Sequence, residues 1–277
     1  MESHLEGDLT SSSLAGSWTR TAQKLLSDLL VTQGEAISQA ALWAAESIAA
    51  DGVVHLFGTG HSRMSIEEMF PRYGSFPGFN PLAELSMTFH TQVVGSNGQR
   101  QAMFIERVEG FADQILQNWD FKSQDILMVF SVGGKTAVPI EMARGARAQG
   151  IKVIAVTSVA QNKFGEPTHS SGTTLSDNAD LVIDLMVPVG DALIHIPGLA
   201  TPVGPSSSIT AIAVVNEIKV QVADYLVRHG ITPQVISSPS VVGTEESERL
   251  FDAAYAEHAR RVSLRLTGAS TNWEVKA

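Results

Sequence analysis

Two short apolar runs, each passing directly into a loop of Gly, Ser and Thr and then into a segment of helical spacing, constrain this chain more than any other feature. Residues 53–57 lead into Gly58-Thr59-Gly60-His61-Ser62, and residues 125–130 lead into Ser131-Val132-Gly133-Gly134-Lys135-Thr136. A buried strand that turns tightly into a helix leaves the first backbone N–H groups of that helix without partners, and those groups can be aimed at an anion. Further apolar runs at 153–156 and 181–183 alternate with helical segments. The expected architecture is therefore α/β, with both loops on the carboxyl edge of a parallel sheet.

Neither loop carries a nucleotide signature. Arg63 stands where the dinucleotide pattern G-x-G-x-x-G has its last glycine, and Val129 stands where a P-loop ending in Gly134-Lys135-Thr136 has its first. The chain of 277 residues has no cysteine, which removes disulfides, thiolate metal sites and cysteine nucleophiles together. Its formal charge of −10 argues against broad nucleic-acid binding, so an anionic ligand must be attracted locally, by loop N–H groups, Arg63, Arg72 and Lys135. No apolar run approaches the roughly 20 residues that span a bilayer. The N-terminus lacks the basic and apolar regions of a signal peptide, so a cytoplasmic protein is expected. No H-x-x-x-H or related ligand pair falls on an expected helix, and neither a metal nor a cofactor is expected.

Residues 1–17 read as a flexible start, 18–230 as one α/β domain with helices at its front, and 231–277 as an extension with one helix over about 245–264. The front helical segment carries Leu25, Leu29 and Leu42, with an interruption expected at Gly34. Its apolar face offers a surface for self-association, a homodimer or homotetramer.

Gly58 to Ser62, Ser131 to Thr136 and a third loop, Gly204-Pro205-Ser206-Ser207-Ser208, together resemble the three loops of the SIS, or sugar isomerase, domain, over roughly residues 18–230. The resemblance is to phosphoheptose isomerases and to a little-characterised branch of phosphosugar isomerase-like proteins. It implies a three-layer sandwich with a parallel five-stranded sheet flanked by helices, and a cofactor-independent isomerase that interconverts an anionic aldose and ketose through an enediol. The sugar would be phosphorylated or, because Gly133 replaces a serine of the family loop, sulfonated. The residues implied to hold it are Gly60, Ser62, Arg72, Ser131, Gly133, Gly134, Lys135, Thr136, Ser206, Ser207, Ser208 and Asn216.

Proton transfer beside a carbonyl needs a base and a group that manages the oxygen. The stretch Ile66-Glu67-Glu68-Met69-Phe70-Pro71-Arg72-Tyr73 resembles the acid-acid stretch of phosphoheptose isomerases, which implies Glu68 as base with Arg72 one turn on. Neighbouring helical residues diverge by about 100°, so Glu67 and Glu68 cannot both face one carbon. Asn216 falls where those enzymes carry a histidine, which leaves the acid role to His61, to Glu217 or to a neighbouring subunit. Glu84, His90 and His169 are weaker candidates. Two other readings remain open: a lyase acting on the ether of an amino-sugar phosphate, and a non-catalytic sugar-phosphate sensor.

Overall fold

The structure is a computed structural model, and it describes residues 14–87 and 98–268. Helix α1 (Ser17–Ala49) is followed by β1 (Val54–Gly58), α2 (Arg63–Met69), β2 (Phe79–Leu82), α3 (Gly98–Ile105) and α4 (Phe111–Leu116). Then come β3 (Ile126–Phe130), α5 (Ala137–Ala148), β4 (Lys152–Thr157), α6 (Val159–Lys163) and β5 (Leu181–Asp184). A small hairpin of β6 (Ala192–Ile194) and β7 (Val203–Pro205) precedes α7 (Ser207–Arg228), α8 (Pro239–Val242) and α9 (Thr244–Ser263). The main sheet has five strands in the order β2-β1-β3-β4-β5, every pair parallel.

Alternation along the strands divides the core in two. Val54, Leu56, Ile126, Met128, Phe130, Ile154 and Val156 pack with α1, α2 and α7 on one face. Phe57, Leu127, Val129, Val153 and Ala155 pack with α4 and α5 on the other. Side chains of successive strand residues point to opposite faces, so strands buried on both sides read as unbroken apolar runs. This is the expected three-layer sandwich. Its outer strand β2 contains Pro81, which sheets tolerate at an edge.

Two expectations change. Helix α1 runs unbroken through Gly34, because its buried row Leu29, Ile37, Ala40, Ala41, Ala44, Ala45 and Ile48 docks on the core and outweighs the roughly 1 kcal/mol a helical glycine costs. Leu29 lies in that core at 3 % exposure, so it is not part of any free surface; Leu42 is 37 % exposed.

Beyond α9 the chain returns to the amino edge of the sheet. Arg265, 2 % exposed, spans Asp125 and the carbonyls of Asp51 and Arg261. Asp125 also accepts the N–H groups of Val53 and Lys122, both at 2.8 Å. Burial pushes the Asp125 carboxyl upward, but the His55 ring, the Arg265 guanidinium and the Lys122 N–H outweigh it and hold it at about 2. No helix among the described residues is long and apolar enough to cross a membrane.

Candidate active site at the carboxyl edge of the sheet

Strands β1 and β3 are neighbours, and in the order 2-1-3-4-5 the chain reverses its winding between them. Connections then leave on opposite sides and open a crevice at the carboxyl ends of the strands. The two loops that follow these strands form the walls of that crevice.

The second loop is fixed from behind. Asn162, 5 % exposed, donates to the Gly133 carbonyl at 3.0 Å, to Thr157 Oγ1 at 2.8 Å and to the Ser158 carbonyl at 2.9 Å. Gly134 has φ +60°, and a Cβ there would lie 2.4 Å from the Asn162 amide nitrogen, so only glycine fits. Ser131 Oγ accepts the Gly134 N–H at 3.3 Å. The N–H groups of Gly133, Lys135 and Thr136 have no partner among the described residues, and Thr136 makes no side-chain cap on α5. A helix of 12 residues thus begins at the crevice with open donors and no acid in its first turn. Lys135 is a correction: its ammonium is spent on the carbonyls of Phe164 and Gly165, the latter at 2.9 Å, so it braces a neighbouring turn and is not aimed at the crevice.

The third loop differs from the expectation as well. Asp191, at φ +65° just before the hairpin, accepts the N–H groups of Ser206 at 3.0 Å and Ser207 at 2.7 Å, and the Ser207 hydroxyl at 2.6 Å. The Ser206 hydroxyl, fully buried, also turns to Asp191. An internal carboxylate therefore already fills the anion position at the start of α7, and Ser206 is withdrawn from the ligand. Ser207 and Ser208 still line the crevice.

Thr59, Gly60, His61, Ser62, the second loop, Asp191, Ser207 and Ser208 enclose a cavity of about 360 Å³. Pro205 lines the cavity too, as does Glu106, which sequence reasoning missed. The residue follows α3; its carbonyl accepts Val138 N–H at 3.0 Å from the first turn of α5, and its carboxylate accepts the Thr59 hydroxyl at 2.8 Å. Burial pushes this carboxyl above the ordinary carboxylate range, against smaller opposing effects of Thr59 and Arg107. Nothing in the local sequence distinguishes Glu106 from Glu109 or other acids nearby; only the fold brings it to the loops.

Glu68, Arg72, Asn216 and Glu217 lie elsewhere. Glu68 pairs with Arg72 along its own chain and accepts the Asn216 amide at 3.1 Å, joining α2 to α7 outside the crevice. Asn216 stands beside Glu68. A second residue is there too: Lys219, 5 % exposed, donates to the Glu68 carbonyl at 2.8 Å and to Asn216 Oδ1 at 3.3 Å. Burial depresses the Lys219 ammonium, opposed by the Glu68 charge and reinforced by Arg72. A lysine one turn after Asn216, between the buried Ile218 and Val222, was the available sign. Glu67 turns away to Arg63 at 2.9 Å, and Glu217 is exposed and lines no part of the crevice.

His169 is buried in a different knot, with Glu109 and Glu141. Its Nδ1 accepts Ser171 N–H at 3.0 Å and its Nε2 faces Glu141 at 3.3 Å, while Glu141 holds Gly110 N–H and Glu109 holds Ser170. These bonds staple three segments together. Glu84 also lies outside the crevice lining, and His90 falls outside the described residues.

The model of the SIS-domain family matches residues 17–158, just over half of the chain. A UPF0309 protein of Streptomyces griseus is 31% identical over 240 residues, 86% of this chain and 93% of that one. A UPF0309 protein of Listeria innocua is 30% identical over 88% of this chain and 96% of its own. The chain therefore belongs to the SIS-domain family and, within it, to the UPF0309 proteins. Among solved structures it is similar to the phosphoheptose isomerase GmhA of Neisseria gonorrhoeae, at TM-score 0.49 and 15% identity, covering 75% of this chain and 97% of that one.

Proposed function

We propose that the protein is a cofactor-independent isomerase of an anionic sugar, phosphorylated or sulfonated, interconverting aldose and ketose through an enediol. The observation that supports this reading is the crevice itself: open N–H donors of Gly133, Lys135 and Thr136 at the start of α5, and in the lining of the same cavity a carboxyl and the hydroxyl-bearing Ser62 and Ser208. Donors of that kind suit a phosphate or sulfonate, and about 360 Å³ is room for one sugar. The anion is held by the second loop, with Ser62 and Ser208 beside it, and Ser206 and Ser207 do not hold it because Asp191 already occupies their donors.

A melting-temperature screen of aldose phosphates, their sulfonate analogues and free aldoses tests this, since a ligand selective for the folded state raises stability by RT ln(1 + [L]/Kd). Stabilisation by anionic sugars and not by free ones is the expected result; a response to none, or to the free sugars alone, contradicts it. We also infer self-association through apolar side chains left on the surface of α1 and α7, among them Val31 at 84 % and Val220 at 67 % exposure. A monomeric mass by light scattering at micromolar concentration overturns that inference.

A further inference from the structure

We propose that Glu106, and not Glu68, is the carboxyl that carries the substrate proton. The inference rests on the isomerase reading and adds to it the reacting group.

Glu106 lines the cavity that both strand loops line, together with the open donors of the second loop. Its backbone is fixed to α5 through Val138 and its carboxylate to the first loop through Thr59, so it is oriented by both walls of the crevice. It makes no ion pair among the described residues, and one of its carboxylate oxygens accepts no hydrogen bond from them. Burial keeps its proton affinity above that of an ordinary carboxylate, nearer the range in which a group both takes and returns a proton. Glu68 has other surroundings: its carboxylate is engaged by Arg72 and by the Asn216 amide, and it does not line the cavity. A carboxylate so held is spent on joining two helices.

In the step itself, the Glu106 carboxylate takes the proton from C2 of the aldose. The C2–H electron pair becomes the C1–C2 double bond, and the carbonyl π pair moves to O1, which takes up a proton. The Glu106 carboxylic acid then returns its proton to C1 while O2 gives one up and C2–O2 becomes the carbonyl. O1 gains one proton and O2 loses one, so the conversion balances without a further reactant. His61 and Thr59 line the same cavity.

The test uses the full chain in D2O with a panel of five- to seven-carbon aldose phosphates and sulfonates, reading deuterium at C2 by proton NMR. Glu106→Gln should slow exchange about 10²- to 10⁴-fold, the effect of losing a general base, while the melting shift given by the same sugar persists. Glu106→Asp, which keeps the carboxyl, should recover part of the rate and guards against a folding defect in the amide variant. Glu68→Gln should exchange within about tenfold of wild type, as expected for a residue that positions and does not react. Wild-type exchange that survives Glu106→Gln overturns the assignment and leaves the isomerase reading intact. Absence of exchange in the wild type with every sugar overturns both.

Discussion

The two ends of the sheet bury polar groups in opposite ways. At the amino edge, the Asp125 carboxylate meets the guanidinium of Arg265 and two backbone N–H groups, and His55 packs its ring against Trp119 and Phe121. Burial depresses His55, with Asp125 opposing; the Asp125 and Arg265 groups are satisfied from within the chain, although His55 Nε2 and Ser47 Oγ are left without a hydrogen bond. At the carboxyl edge, Glu106 has one hydroxyl partner and no ion pair, and three N–H groups of the second loop have no partner, among the described residues. Buried polar groups ordinarily find partners. A saturated cluster fixes the fold, whereas an unsaturated one facing a cavity is set out for a ligand.

The largest expected effect falls on the saturated edge. Arg265→Met strands the Asp125 charge in the interior and should cost about 3–5 kcal/mol in urea unfolding, with the response to sugar anions unchanged in the folded fraction. Loss of ligand response without loss of stability would break the division between the edges. Gly134→Ala forces a left-handed φ on alanine and drives a methyl into the Asn162 amide; about 2–3 kcal/mol is expected, together with loss of anion binding by calorimetry. If binding persists, the second loop is not the anion site.

Acid sharpens the comparison further. The folded Asp125 carboxyl lies below its ordinary 3.8, at about 2, so its contribution is present above pH 3.8 and is lost as the pH falls from 3.8 towards 2. Unfolding curves across that window should lose about 2 kcal/mol from this group. Glu106 has the opposite sign: its raised carboxyl costs stability as it ionises, so Glu106→Gln should stabilise the fold slightly above the ordinary carboxylate range. The smallest effect is expected from Asp191→Asn, which keeps a capping oxygen at the start of α7 and should cost about 0.5–1 kcal/mol.

The sequence made the sheet legible because β1, β3, β4 and β5 are apolar runs alternating with helical segments, whereas their order in the sheet comes from the structure. Glycines at 58, 60 and 134 marked the loops correctly, since close backbone approach or positive φ requires them there. What the sequence concealed was long-range. Asp191 reaches 15 residues to cap Ser206, Lys135 reaches 29 to a carbonyl of Phe164, and Glu106 reaches 47 back to Thr59. None of these pairings has a local spacing to read. Glu68 shows the reverse hazard: its neighbours along the helix matched a familiar stretch, yet its contacts across to Asn216 and Lys219 place it at a helix junction.

The central claim is that the anion of the substrate lies on the second loop at the start of α5. A crystal structure of the protein with the sugar phosphate or sulfonate that raises its melting temperature most tests it directly. The anion should lie within hydrogen-bond distance of the N–H groups of Gly133, Lys135 and Thr136, with the sugar carbons turned toward Glu106. An anion bound instead at Arg72 and Lys219, or displacing Asp191 from the start of α7, contradicts the account.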